Sequence, residues 1–95
     1  MRAHKPMEHV KKVKVANRLG LHARAAAQIA KTAMDFDSDL YISLDGKEVD
    51  GKNLLSILSL GAGTGAEIVL RAVGEDSAEL IEAVSKLFSL RFGEI

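Results

Sequence analysis

The run Leu40-Tyr41-Ile42-Ser43-Leu44-Asp45-Gly46 constrains this chain more than any other. Leu40, Ile42 and Leu44 alternate with Tyr41 and Ser43, the period of a strand with one buried face. Asp45-Gly46 then supplies two residues that tolerate the positive φ of a tight turn, so the chain doubles back into a short strand at about Lys47 to Asp50. A sheet built on that hairpin is at least partly antiparallel. Its other strands follow from the same period. Val13 and Val15 oppose Lys12 and Lys14, and residues 66 to 73 form a further apolar strand.

Between these strands the spacing becomes helical. Ala26, Ile29, Ala30 and Ala33 share a face opposed by Arg24, Gln28, Lys31 and Asp35, giving a helix from Ala23 to about Met34. Asn53 is placed to cap a second helix of barely two turns, and Gly61 to end it in a left-handed conformation. Asp76 with Glu79 has the form of a capping box before Leu80, Ile81, Val84, Leu87 and Phe88. The order is βαββαβα, which predicts an α+β open-faced sandwich: a four-stranded, mostly antiparallel sheet with three helices on one face. With 95 residues there is room for a single core, expected over residues 9–95 behind a flexible tail at residues 1–8.

Composition narrows the function classes. The chain has no cysteine, which removes disulfides, thiolate zinc sites and thiol catalysis. Its start lacks the apolar core of a signal peptide, and no segment approaches the roughly 20 apolar residues that span a bilayer. A cytoplasmic protein without membrane insertion is expected. The zero net charge divides unevenly: residues 1–31 hold eight Lys/Arg against one Glu, and residues 32–50 one Lys against six acids. With one tyrosine and no tryptophan there is little to stack bases on, so nucleic acid is not an expected partner. His4 and His9 lack a third ligand at suitable spacing and are expected to be solvated. The glycines of Gly61-Ala62-Gly63-Thr64-Gly65 lie between a helix and a strand, the reverse of a nucleotide loop, and read as a flexible turn. Lys11, Lys12 and Lys14 read as the exposed side of the first strand.

The stretch Asn17-Arg18-Leu19-Gly20-Leu21-His22-Ala23-Arg24 sets an imidazole at the start of the first helix. The backbone N–H groups of Ala23, Arg24 and Ala25, with the helix dipole, form an anion site, and Arg24 adds a permanent cation. Those positive features favour a neutral His22 with one free lone pair, which is a nucleophile. A phosphoryl group arriving there would bring a charge near −2 to the amides and Arg24. The plain alternative is that His22 only caps the helix.

The strings NRLGLHARAA and GKEVDGKNLLSILSLGAGTGAEI together resemble the histidine-containing phosphocarrier (HPr) family of the bacterial phosphotransferase system, from about Val10 onward. The resemblance implies phosphorylation of His22 on Nδ1, with Arg24 stabilising the phosphate. It implies Enzyme I as the phosphoenolpyruvate-dependent donor, IIA domains of sugar transporters as acceptors, and a monomer needing no metal or cofactor. On that reading the chain is a carrier, a substrate of enzymes more than an enzyme. Two other readings stay open, a regulatory paralogue of the nitrogen-related phosphotransfer chain and a non-phosphorylated binding module. Ala25 replaces the family's usual proline and adds an N–H directed near the ring nitrogen or phosphate. Asn53 stands where many Gram-positive members carry a phosphorylated serine. The second helix is too apolar for one buried stripe, its leucines covering about 220° at roughly 100° per residue. Ile57 and Leu60 suit the core, and Leu54, Leu55 and Leu58 are expected to form an exposed docking patch.

Overall fold

The computed structural model describes residues 7–95. It contains β1 (Glu8–Lys14), α1 (Ala23–Ala33), β2 (Asp39–Leu44), β3 (Lys47–Asp50), α2 (Leu54–Leu58), β4 (Glu67–Val73) and α3 (Ser77–Ser89), then a 3-10 turn at Arg91–Gly93. The strands form one antiparallel sheet in the order β1-β4-β2-β3, which is the sandwich the periodicity predicts. Residues 1–6 of the expected tail lie outside the described residues. Glu8, expected in that tail, is instead the first residue of β1, opposite Val73, and Met7 O accepts from Gly74 N–H at 2.8 Å. The two added backbone pairings extend the strand past the apolar pattern that marked its start.

The predicted hairpin is present, with Asp45 and Gly46 at φ 51° and 85° and Leu44 opposite Lys47. Leu40 and Ile42 of β2 and Ile68 and Leu70 of β4 are fully buried on the sheet's inner face. Ile29 of α1 and Leu80 and Val84 of α3 close over them with no exposure. Burying a side chain of this size contributes about 1.5–3 kcal/mol. On the outer face Arg71 of β4 bonds Glu48 of β3 and Glu8 of β1, and its guanidinium lies 4.3 Å from the Tyr41 ring centre on β2. One polar cluster thus draws a residue from every strand. Glu48 is held below the usual carboxylate range by its bond from Arg71, which is itself raised chiefly by Glu48.

Asp76 corrects the expected capping box. It stands at the N-cap of α3 but makes no side-chain cap bond there. Its carboxylate reaches across to the loop before β2, accepting from Asp37 N–H at 2.9 Å and Ser38 N–H at 2.8 Å. Two amides of a distant loop outcompete the helix's own. The Ser38 hydroxyl beside it, then these amides, lower the Asp76 carboxyl below its ordinary range. The amides carry the geometry, because Ser38 Oγ is buried with no partner at full bonding distance and angle. His9 is also not solvated as expected: it is half-buried, with Nδ1 2.8 Å from Ser77 Oγ at the start of α3.

The depressed Asp76 value makes a stability prediction. Its contribution is fully present above the unfolded-chain value of about 3.9 and is lost as pH falls through the lower folded value. Urea unfolding of wild type and Asp76→Asn is expected to show a deficit in the variant at pH 7 that shrinks toward pH 3.

Candidate functional site

The loop from β1 to α1 is shaped before its side chains act. Gly20 sits at φ 70°, and a Cβ there would strike the carbonyl oxygen of Ala62. That close approach lets Leu21 N–H donate to Ala62 O at 2.9 Å, while Gly65 N–H donates to Val15 O at 2.7 Å. The glycine segment after α2 is therefore a clamp on this loop, where the sequence reads it as a flexible turn.

His22 is the N-cap of α1, in extended conformation at φ −73° and ψ 178°. Its carbonyl accepts the first helical bond, from Ala26 N–H at 2.9 Å. Its ring does the capping: Nδ1 accepts from Arg24 N–H at 3.2 Å. A ring nitrogen that accepts a bond carries a lone pair, so the ring proton is on Nε2. Nε2 in turn donates to Glu94 Oε2 at 2.8 Å. In this tautomer the lone pair is on Nδ1 and the proton on Nε2. The amide that meets the ring belongs to Arg24, and the Ala25 side chain after it is fully buried in the core.

Glu94 and Asn17 are the participants that sequence reasoning missed. Asn17 is 1% exposed, and its Nδ2 donates to Gly20 O at 2.7 Å and to Glu94 Oε2 at 2.8 Å. Leu19 N–H adds a longer bond to Glu94 Oε1 at 3.3 Å. These bonds, His22 first, hold the Glu94 carboxyl below its usual range. Glu94 is placed by a left-handed run, Arg91, Phe92 and Gly93 at φ 53°, 54° and 79°. Phe92 is buried edge-on against Phe88, ring centres 5.0 Å apart, and its carbonyl accepts from Gln28 Nε2 at 3.1 Å. The one sequence signal is that Glu94 is the sole acid after Glu82.

Beside the histidine, Arg18, Leu19, Arg24, Gly93, Glu94 and Ile95 line an open cleft of about 480 Å³. Among the described residues neither guanidinium is in an ion pair within 4 Å, so two cations border the opening. The N-cap of α2 is as predicted, Asn53 Oδ1 accepting from Ser56 N–H at 3.0 Å. The leucine patch is smaller than predicted. Leu54 and Leu55 are exposed, but Leu58 is half-buried and packs on the core beside fully buried Ile57, as does half-buried Leu60. A helix of five residues leaning on α1 turns both Ile57 and Leu58 inward.

A four-stranded sheet under three helices, with a histidine lone pair at a helix N-terminus, is the fold that the HPr resemblance implies. The chain belongs to the HPr phosphocarrier family of the phosphotransferase system: the profile described as "PTS HPr component phosphorylation site" matches residues 9–89. It is 39% identical to the phosphocarrier protein HPr of Cupriavidus necator over 80 residues, 84% of this chain and 90% of that one. An HPr crystal structure from Thermoanaerobacter tengcongensis superposes with a TM-score of 0.88 at 37% identity, covering 92% of this chain and 98% of the other. An HPr dimer from the same organism matches with a TM-score of 0.74 at 35% identity, covering 99% and 100%. Among the described residues no helix is long and apolar enough to cross a membrane.

Removing the Glu94 carboxylate is expected to unfasten the ring without unfolding the domain. In Glu94→Ala, long-range nitrogen-15 NMR at pH 8 should show the single Nε2–H tautomer of the wild type replaced by a tautomer mixture. An unchanged spectrum would mean that the bond to Glu94 does not set the proton's position.

Proposed function

We propose that the chain is a phosphocarrier that takes a phosphoryl group from phosphoenolpyruvate-dependent Enzyme I onto His22 Nδ1 and hands it to IIA proteins of sugar transporters. The observation that carries this reading is the division of labour on the ring, with a lone pair on Nδ1 and the proton anchored on Nε2 by Glu94. In the transfer, Nδ1 attacks phosphorus, the N–P bond forms as the donor's bond to phosphorus breaks, and that bond's electron pair returns to the donor. The Arg24 N–H, released from Nδ1, turns to a phosphoryl oxygen, and the Arg24 guanidinium and the helix N-terminus offset the added charge. Nε2 keeps its proton, so the phosphorylated ring carries a positive charge that Glu94 faces. Passing the group on reverses each step.

Asn17, His22, Arg24 and Glu94 lie within bonding distance of one another inside the single domain. The related protein that forms a dimer makes the oligomeric state a quantity to measure, and sedimentation of this chain is expected to report a monomer. Docking is assigned to the surface around Leu54 and Leu55 on α2, which packs against α1, with Leu58 supporting it from below.

The test is incubation with phosphoenolpyruvate and Enzyme I, followed by intact mass, then transfer to IIA proteins. Wild type is expected to gain one acid-labile phosphoryl group and His22→Ala none, and phosphate appearing at His4 or His9 would overturn the assignment. Arg24→Ala should slow transfer by about 10²–10³-fold, the usual cost of losing one charge-stabilising donor, with little change in stability. Leu55→Glu should weaken Enzyme I binding, because docking would strip water from the introduced charge. A titration followed by NMR with α1 and α2 silent would refute that surface.

A further inference from the structure

The second feature of interest lies at the other edge of the sheet from α2. β1 is an edge strand, and the direction of its backbone groups follows from its pairing with β4. Val15 N–H donates to Ala66 O, and Met7 O accepts from Gly74 N–H. The odd-numbered residues from 7 to 15 therefore turn their peptide groups toward β4, and the even-numbered ones turn them outward. Glu8, Val10, Lys12 and Lys14 each present an N–H and a C=O at this edge, which no other strand among the described residues pairs with. Their side chains lie on the outer face, where Val10 is 57% exposed. Lys11, expected on that exposed side, belongs to the opposite face and lies 3.7 Å from Glu82 of α3.

Lysines on an edge strand often serve only to keep other strands away. Two observations go further. The edge opens onto a groove against α3, in two adjoining hollows of about 520 and 320 Å³ that share Ser85 and Ser89. Among the described residues the groove also carries a positive excess: Lys11, Lys86 and Arg91 line it against Glu82. From this geometry we infer that the β1 edge and the β1–α3 groove take an extended acidic segment of another protein, added to the sheet as a fifth strand.

Strand addition supplies affinity through main-chain bonds and selectivity through alternate side chains. Here the outward groups of Val10 and Lys12 supply the bonds, and the basic groove selects carboxylates. A second copy of this chain is a poorer occupant than an acidic segment, since it brings a strand with three lysines and one glutamate, of the same net positive charge, to the edge. β1 and β3 are opposite edges and α2 packs by β3, so an occupant at β1 leaves Leu54 and Leu55 uncovered. A docked carrier can then still offer the transfer surface, and this second site stands independently of whether His22 carries phosphate.

The probe is a fluorescein-labelled peptide of alternating glutamate and threonine, with a lysine–threonine peptide as control, titrated into the full chain at low salt. Binding of the acidic peptide alone is expected, weakening with salt, with NMR shifts over residues 8–14 and the adjoining face of α3. Hydrogen exchange is expected to slow selectively at Val10 and Lys12, whose amides point outward, beyond any change at Lys11 and Val13. Val10→Pro deletes one outward donor while sparing every bond to β4, and should weaken binding about tenfold with Enzyme I transfer unchanged. The double variant Lys11→Glu with Lys86→Glu alters no backbone donor, so it tests the charge should the proline disturb the strand. Equal binding by the control peptide, by both variants, or with shifts confined to α1 and α2 would overturn the site. Slowed exchange at Val10 and Lys12 in the chain alone, rising with its concentration, would give the edge to a second copy and overturn it equally.

Discussion

The Glu94 carboxylate is the contact on which the arrangement of the candidate site depends. It joins the segment after α3 to the loop before α1 through Asn17, Leu19 and His22, three groups that no other element holds together. Reaching that position requires Arg91 and Phe92, both with a Cβ, to adopt left-handed backbone at roughly 1–3 kcal/mol each. Burying the Phe92 ring returns about 1.5–3 kcal/mol, and its edge-on contact with Phe88 about 0.5–1.5 more. The terms are close in size, so aromatic burial offsets much of the strain while the hydrogen bonds fix where the chain goes. Phe92 is thus a structural residue with a chemical consequence, because its position decides whether the carboxylate meets the imidazole.

That meeting organises the charges around the ring. A carboxylate placed beside Nδ1 would repel an incoming phosphoryl group, whereas on Nε2 it is separated from the reacting nitrogen by the width of the imidazole. In the proposed reaction the phosphorylated ring becomes a cation lying between two anions, with the helix amides and Arg24 beyond the phosphate. Positive and negative groups then alternate outward from Glu94. The clamp from Ala62 and Gly65 holds the loop that carries this series, so the glycines after α2 contribute to the same geometry from the opposite side.

How much of this the sequence discloses depends on whether the determinant is local. The hairpin at Asp45-Gly46 and the helix start at His22 are local: one rests on turn conformations, the other on orphan amides and a short polar string. Asn53 caps α2 as its residue type predicts. Asp76 has an equally good local pattern but serves the distant amides of Asp37 and Ser38, a competition that only tertiary structure decides. Glu94 is the extreme case. It lies 72 residues from His22 in the chain, outside any periodic segment, and its placement depends on backbone conformations that the side chains of Arg91 and Phe92 disfavour. Leu58 departs from its expected exposure for the converse reason, since a helix of five residues has no face that periodicity can define.

The open face of the sheet explains why such a small domain has edges to spare. With helices on one side only, the other side must satisfy itself, and Arg71 does so by bonding Glu48 and Glu8 over Tyr41. Exposed ion pairs of this kind add little stability singly, but this one touches all four strands and occupies the centre of the face, one guanidinium against two carboxylates. The periphery differs. Net positive charge collects along β1 and the near side of α3, and Leu54 and Leu55 are exposed on α2. On the proposed readings the first asymmetry selects for acidic side chains and the second for apolar surface, so the two ends of the sheet differ in the chemistry they accept. A partner suited to one is unsuited to the other, and the His22 loop, which follows directly from β1 and is clamped by the segment leaving α2, lies in the covalent path between them.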